Sequence, residues 1–320
     1  MPCFNEEHAI GQVVNGFRQA MPDAHIFVFD NNSSDRTVSV ARQAGAEIRQ
    51  EPRQGKGHVV RRMFADIEAD VYVMADGDGT YDPNCAPRMI QCLLDHQLDM
   101  VVGLRQESGH TNTYRPGHRF GNRLLSTTVA HLFGQGFSDM LSGYRVFSRR
   151  FVKSFPILSK GFEIETELTV HALNLAIPCQ EIPTPYFARP PGSTSKLDTW
   201  RDGWRILMTI LLLAKEARPF AFFGLIALLL TVTAILLAIP IFITYHETGL
   251  VPRIPTALLC SGMVIMASIS LTSGIILDSI SRTRIELHRF FYLKQPPLFR
   301  DPFRAQTLHN DPTSEPCARS

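Results

Sequence analysis

Two uninterrupted apolar stretches near the C-terminus constrain this chain more than any other feature. Between Arg218 and His246 no side chain ionises except Tyr245, and Ile254 to Leu277 carries no charge at all. About 20 apolar helical residues cross the ~30 Å hydrocarbon core of a bilayer, so each stretch is long enough to span one. Buried helices of soluble proteins rarely stay uncharged over such a length. The prediction is a pair of transmembrane helices at 219–245 and 254–278.

The flanking charges orient the pair. Lys196, Arg201, Arg205, Lys215 and Arg218 precede the first stretch, Arg282, Arg284, Arg289 and Lys294 follow the second, and the connecting loop carries only Glu247 and Arg253. Positive flanks stay inside. Residues 1–198 and both termini are therefore expected in the cytoplasm, most simply at a bacterial inner membrane, and the N-terminal sequence contains no signal-like apolar core. Trp200 and Trp204 stand one turn apart ahead of Ile206, Leu207, Ile210 and Leu211, the pattern of an interfacial amphipathic helix over 199–217. Paired spans also offer a surface for homo-oligomers. The tail, 293–320, is proline-rich without apolar periodicity and is expected to be poorly ordered. Six cysteines form no C-x-x-C pair, which suits a reducing compartment. Lys plus Arg total 32 against 30 Asp plus Glu, so nothing draws the chain to nucleic acid.

The first 198 residues alternate short apolar runs with helical patterns. Strands are expected at His25 to Phe29, Val71 to Ala75 and Met100 to Gly103, ending at Asp30, Asp76 and near Arg105. Helices are expected at 7–20, 35–44, 55–68 and 84–95. This is the signature of an α/β domain with a parallel sheet covered on both faces. Such sheets bind ligands beyond the carboxyl ends of their strands, where Asp30, Asp76 and Asp78 fall.

Asp76-Gly77-Asp78 places two carboxylates one residue apart past a buried strand, and such a pair can hold a hard divalent cation whose remaining ligands are phosphate oxygens and water. Gly77 lets backbone approach. In Asp30-Asn31-Asn32-Ser33-Ser34-Asp35-Arg36-Thr37 the later residues cap a helix, while Asp30 can accept a hydrogen bond from a nucleobase imide. Arg189-Pro190-Pro191-Gly192-Ser193-Thr194-Ser195-Lys196 has the composition of a closing loop.

Together with Pro2-Cys3-Phe4-Asn5-Glu6-Glu7, Gln54-Gly55-Lys56-Gly57, Gly121-Asn122, Asp139-Met140-Leu141-Ser142-Gly143-Tyr144-Arg145 and Glu163 to Glu167, these stretches resemble family 2 inverting glycosyltransferases of the GT-A fold. Within it they resemble the polyprenyl-phosphate glycosyltransferases, the group of dolichol-phosphate mannose synthase and bacterial undecaprenyl-phosphate glucosyltransferases. The resemblance spans about residues 2 to 215. It implies a donor that is a UDP- or GDP-hexose, a polyprenyl phosphate acceptor, and Mg²⁺ or Mn²⁺ on Asp76 and Asp78. It also implies nucleotide-sugar contacts from Pro2, Asn5, Glu7, Asp30, Lys56, Asp76, Gly77, Asp78 and Arg105. Arg119, Asn122, Ser195 and Lys196 would hold the acceptor phosphate, and Asp139, Ser142, Arg145, Arg119, Arg189 and Lys196 would shape or close the reacting centre.

The implied chemistry explains the residue types. A phosphate monoester has a second pKa of about 6, so the nucleophile is already ionised and needs positioning more than a base. Bringing an anionic acceptor to an anionic donor calls for arginine, lysine and a divalent ion. Two departures stand out. The family usually carries an apolar strand ahead of the Pro-x-x-Asn-Glu turn, and this sequence reads Met1-Pro2, so the strand flooring the nucleoside pocket is expected to be missing. Mannose synthases tend to have glutamine where Thr80 stands. A processive polysaccharide synthase would carry Gln-x-x-Arg-Trp, and neither tryptophan follows an arginine. A soluble-acceptor transferase would not need two spans, and a catalytically impaired membrane scaffold is the alternative from outside enzymology.

Overall fold

The computed structural model describes residues 1–107, 137–157, 159–161, 163–190 and 218–297, with Trp204, Met208, Leu212 and Lys215 between the last two ranges. The chain runs β1 (Pro2–Cys3), α1 (Ile10–Ala20), β2 (Phe27–Asp30), α2 (Thr37–Gln43), β3 (Glu47–Gln50), α3 (Lys56–Asp66) and β4 (Val71–Met74). It continues through α4 (Ala86–Asp95), β5 (Met100–Glu107), β6 (Arg145–Ser148), α5 (Arg149–Ser154), α6 (Ile164–Leu175), β7 (Cys179–Tyr186), α7 (Pro219–Thr248) and α8 (Ile254–Lys294).

Strand alternation divides the core into two layers. Phe29, Met100, Val102 and Phe147 point to one face, where α3, α5 and α6 cover them. Val28, Val101 and Val146 point to the other, under α1 and α4. Helix α1 buries Ile10, Val13, Val14 and Phe17 on one stripe, the spacing that selects a helix there. Strands β1, β2 and β3 pair in parallel, and a second sheet has the order β4-β6-β5-β7. The two meet at the first aspartate motif, where a Cβ on Gly77 would collide with the Cys3 sulfur.

Three observations differ from the sequence reading. The sheet is mostly parallel, but β6 runs antiparallel to both neighbours, with Val146 opposite Val73 and Val101. Its direction is set by the pairing with β4 and β5, which strand–helix alternation in the sequence does not encode. The strand expected to be missing is present in two residues: Pro2 and Cys3 pair with Phe29 and Asp30, and the Met1 amino group donates to the Phe27 carbonyl at 2.7 Å. The second apolar helix continues well past Leu277, to Lys294.

Helices α7 and α8 are each long and apolar enough to cross a membrane, and they pack on each other. Apart from Pro219 at the start of α7, their buried positions are small and seven residues apart: Ala227 and Ala234 on α7, and Cys260, Ala267, Gly274 and Ser281 on α8. A seven-residue repeat keeps one seam facing the partner helix, and small side chains let the backbones close. A Cβ on Gly274 would lie 3.0 Å from the Phe223 Cβ. Of the expected interfacial helix, Trp204, Met208 and Leu212 are helical and exposed, four residues apart along one face.

In α6, His171 packs edge-on against Phe151 and Phe155, and its Nε2 has no hydrogen-bond partner among the described residues. Burial, and then the neighbouring His288, push its pKa from 6.5 down to about 3. The unfolded chain takes up a proton that the folded one refuses, so stability is lost as pH falls below about 6.5. For one such group the slope is about 1.4 kcal/mol per pH unit. Thermal melts in detergent at pH 7.5, 6 and 5 should show a falling midpoint in the native protein and a flatter profile in His171→Leu; parallel profiles would contradict this origin.

Candidate active site

The β4 strand delivers Asp76-Gly77-Asp78 at its carboxyl end, and the structure places a side-chain cation on each carboxylate. Lys56 Nζ lies 2.5 Å from Asp76 Oδ1 and also 2.5 Å from Glu165 Oε1. Arg189 Nη2 lies 2.6 Å from Asp78 Oδ2, with its Nη1 3.5 Å from Glu6. Thr80 donates from backbone and hydroxyl to the other oxygen of Asp78. Burial opposes the charge on Lys56, but the attraction of Asp76 and Glu165 outweighs it and its pKa rises. Lys56 reaches this position because Gly55 starts α3 at a φ of +129°, where a side chain would strike the Lys160 carbonyl.

The 139–143 turn forms the next wall. An added Cβ on Gly143 would come within 2.6 Å of Asp76 Oδ2, so the turn lies directly against the first carboxylate. The Gly143 amide donates to the Tyr81 hydroxyl, and the Ser142 hydroxyl to the Gly103 carbonyl. Asp139 receives a bidentate clasp from Arg105, with Nε and Nη2 each at 2.6 Å. Its backbone is held in turn by Glu181, which accepts from the Ser138 and Asp139 amides. The Arg105 guanidinium also sits 5.4 Å from the Tyr186 ring centre.

At the nucleoside end, Asp30 is buried at the tip of β2 and accepts from the Ser33 amide. Asn5, at a φ of +52°, accepts from the Ser34 amide and so stitches the 5–7 turn to the 33–37 turn. Asn31 donates to the Glu51 and Arg53 carbonyls and accepts from the Gly55 amide, tying this end to the start of α3.

Asp30, Lys56, Asp76, Gly77, Asp78, Arg105, Asp139 and Arg189 thus converge beyond the carboxyl ends of the strands, and Pro2 sits in β1 beside them. Two expected residues do not join this group. Glu7 faces outward, where Arg36 binds it from amide and Nε at 3.1 Å and holds its carboxyl below the usual range. Arg145 is fully buried, and burial lowers its pKa to about 10. It donates to the carbonyls of Ser142, Met140 and Glu165 and to the Thr169 hydroxyl, so it supports the 139–143 turn from below. Arginine has five donors in a fixed fork and no acceptor, which suits a cluster of inward-facing carbonyls. Arg119, Asn122, Ser195 and Lys196 lie outside the described residues.

Four participants carried no role in the sequence reading: Glu6, Tyr81, Glu165 and Tyr186. Glu165 stood within a quoted motif, and Tyr81 five residues past Asp76, but nothing local distinguishes either from a helix-start acid or a core aromatic.

Asp76 and Asp78 are oxygen donors of the kind hard divalent cations take, and both already sit against positive charge. No third His, Cys, Asp or Glu completes a cation cluster among the described residues. The pair therefore fits an ion shared with a diphosphate and water.

Residues 1–155 match the profile of Glycosyl transferase family 2. The chain is 36% identical over 239 residues to glycosyltransferase AglJ of Haloferax volcanii, covering 74% of this chain and 78% of that one. It is 27% identical over 218 residues to the dolichyl-phosphate hexose transferase of the same organism, covering 68% and 93%. Among solved structures it resembles glucosyl-3-phosphoglycerate synthase from Mycobacterium tuberculosis in complex with Mn²⁺, uridine diphosphate and phosphoglyceric acid. The TM-score is 0.56 at 20% identity, over 67% of this chain and 76% of that one.

Arg189 occupies an Asp78 oxygen that a divalent ion on this pair would take, so Arg189→Gln should bind Mn²⁺ about tenfold more tightly than the native protein in the absence of nucleotide. Paramagnetic resonance titration of free Mn²⁺ measures this. Unchanged or weaker binding would show that the two cations occupy different places.

Proposed function

We infer that this chain, which belongs to glycosyl transferase family 2, moves a hexose from a nucleotide-sugar to a polyprenyl phosphate at a membrane surface, with inversion. One observation carries the reading: Lys56, Arg105 and Arg189 gather with Asp76 and Asp78 at one sheet end, on a chain that also carries two bilayer-length apolar helices. The name of the dolichyl-phosphate hexose transferase supports the acceptor class. The Mn²⁺ and uridine diphosphate bound by the structural neighbour support the donor and the ion.

In the proposed reaction a phosphate oxygen of the lipid attacks the anomeric carbon from the side opposite the diphosphate. The carbon–oxygen bond to the phosphate forms, the bond to the nucleoside diphosphate breaks, and its electron pair leaves with the diphosphate. No proton has to be removed from an ionised phosphate. Mg²⁺ or Mn²⁺ on Asp76 and Asp78, when bound, would offset charge developing on the leaving diphosphate. Asp30 would receive the base, and Lys56 and Arg189, released from the carboxylates, would turn to phosphate oxygens. Asp139, clasped by Arg105, orients that guanidinium and is not free to act as a base. Arg119, Asn122, Ser195 and Lys196 are proposed to hold the acceptor phosphate, with Arg189 and Lys196 on the loop that closes over it. The positive flanks of α7 and α8 support a cytoplasmic catalytic domain, with Trp204, Met208 and Leu212 lying in the interface.

The test is to offer purified protein labelled UDP-glucose, UDP-galactose, UDP-N-acetylglucosamine and GDP-mannose in turn with undecaprenyl phosphate. Labelled lipid should form with one donor and stop in EDTA, and kcat/KM for the acceptor should rise through a pH of about 6. Free undecaprenol should be inert. Transfer to the free alcohol at a comparable rate would show that the protein supplies a general base.

A further inference from the structure

The second apolar helix is twice as long as a bilayer requires. At 1.5 Å per residue the 41 residues of α8 extend about 60 Å, against the ~30 Å of a hydrocarbon core. Its last turns hold Arg282, Arg284, Glu286, Arg289 and Lys294, so they belong in water. They do not stand free. Ile285 and Tyr292 pack against the core layer formed by α3, α5 and α6, and the His288 ring centre lies 5.7 Å from that of His171. Residues 285, 288 and 292 share one helix face.

Tyr292 is the polar lock of this face. Its hydroxyl donates to Asp99, which is buried and also accepts from the Ser148 hydroxyl. The Arg150 guanidinium covers the Tyr292 ring at 4.8 Å and donates to its oxygen at 3.4 Å. Each structure that α8 touches, directly or through Asp99, leads to the active site. Asp99 immediately precedes β5, which carries Arg105. Ser148 ends β6, which begins at Arg145 beneath the 139–143 turn. His171 lies on α6, whose first turn holds Glu165 against Lys56.

We propose that the cytosolic end of α8 is a rigid strut that fixes the height and tilt of the active site above the bilayer, and that Tyr292 is a positioning residue for transfer to a lipid-borne acceptor. A continuous helix bends little over this length, and its docked end holds Asp99, which leads into β5 and is hydrogen-bonded to Ser148 of β6, and packs on the helix that carries Glu165. The orientation set at the membrane is thereby passed to the reacting groups without a flexible joint on this side. The inference rests on the polyprenyl-phosphate reading.

The experiment compares the native protein with Tyr292→Ala, Tyr292→Phe and an insertion of Gly-Ser-Gly-Gly after Ser279, which loosens the strut without touching its docking face. Each is assayed with the same undecaprenyl phosphate in liposomes and in detergent micelles, where no bilayer plane fixes the geometry. Tyr292→Ala and the insertion should lose about tenfold or more in kcat/KM in liposomes and change little in micelles, with nucleotide binding retained. Tyr292→Phe, which keeps the ring on Arg150, should fall between. Energy transfer from a dye at the exposed residue 19 to labelled lipid headgroups should report a broader distance distribution in both disrupted variants, independently of turnover. Equal losses in the two media, no loss in either, or an unchanged distance distribution would overturn the strut. Failure of the native protein to glycosylate the lipid in both media would instead remove the functional reading beneath it.

Discussion

The pairing of two adjacent carboxylates with two side-chain cations is the interaction on which the rest of this molecule depends. Asp78 is buried and Asp76 largely so, and leaving either unpaired costs several kcal/mol. Lys56 and Arg189 remove that cost, and each must be brought from elsewhere in the fold. Lys56 requires the glycine start of α3 and the second anchor at Glu165; Arg189 requires β7 to carry the chain back past Tyr81. A site neutralised in this way is also exchangeable. The cations that pair with these carboxylates are those a diphosphate would attract, and the carboxylates they would release are those a divalent ion would take.

That exchange matters because the proposed reaction joins two anions. Repulsion between donor and acceptor phosphates in a low-dielectric cleft would oppose their approach, so positive groups must be present before either arrives. The fold supplies them in layers. Arg105 is fixed by Asp139 and faces Tyr186, Lys56 and Arg189 are held ready by the acids, and Arg145 stays below, tying the turn that carries Asp139 to the first turns of α6. Arginines of identical chemistry therefore do opposite work, and burial is what separates them.

Much of this was legible in the sequence because it is local. Phe27 to Phe29 and Val71 to Met74 announce buried strands, and their terminal aspartates locate the site before any contact is known. The helices at α1, α3 and α4 follow from their apolar stripes, and the two uncharged runs leave little freedom. What was not legible depends on partners distant in sequence. The reversed direction of β6 is decided by its neighbours β4 and β5; the inward turn of Arg145 is decided by carbonyls from two other segments; Glu7 is drawn outward by Arg36. The extension of α8 to Lys294 was hidden because its charges read as the end of a membrane span, whereas the partner that anchors it, Asp99, lies far away in sequence.

The account stands on the claim that Asp76 and Asp78 hold the donor's diphosphate through a divalent ion. Calorimetric titration of the nucleoside diphosphate released in the reaction into the native protein and into Asp78→Asn, each with Mn²⁺ and with EDTA, addresses this directly. Tight binding should appear only for the native protein with Mn²⁺, and the other three combinations should be weaker by about tenfold or more. Equal affinity with and without metal, or in Asp78→Asn, would contradict it.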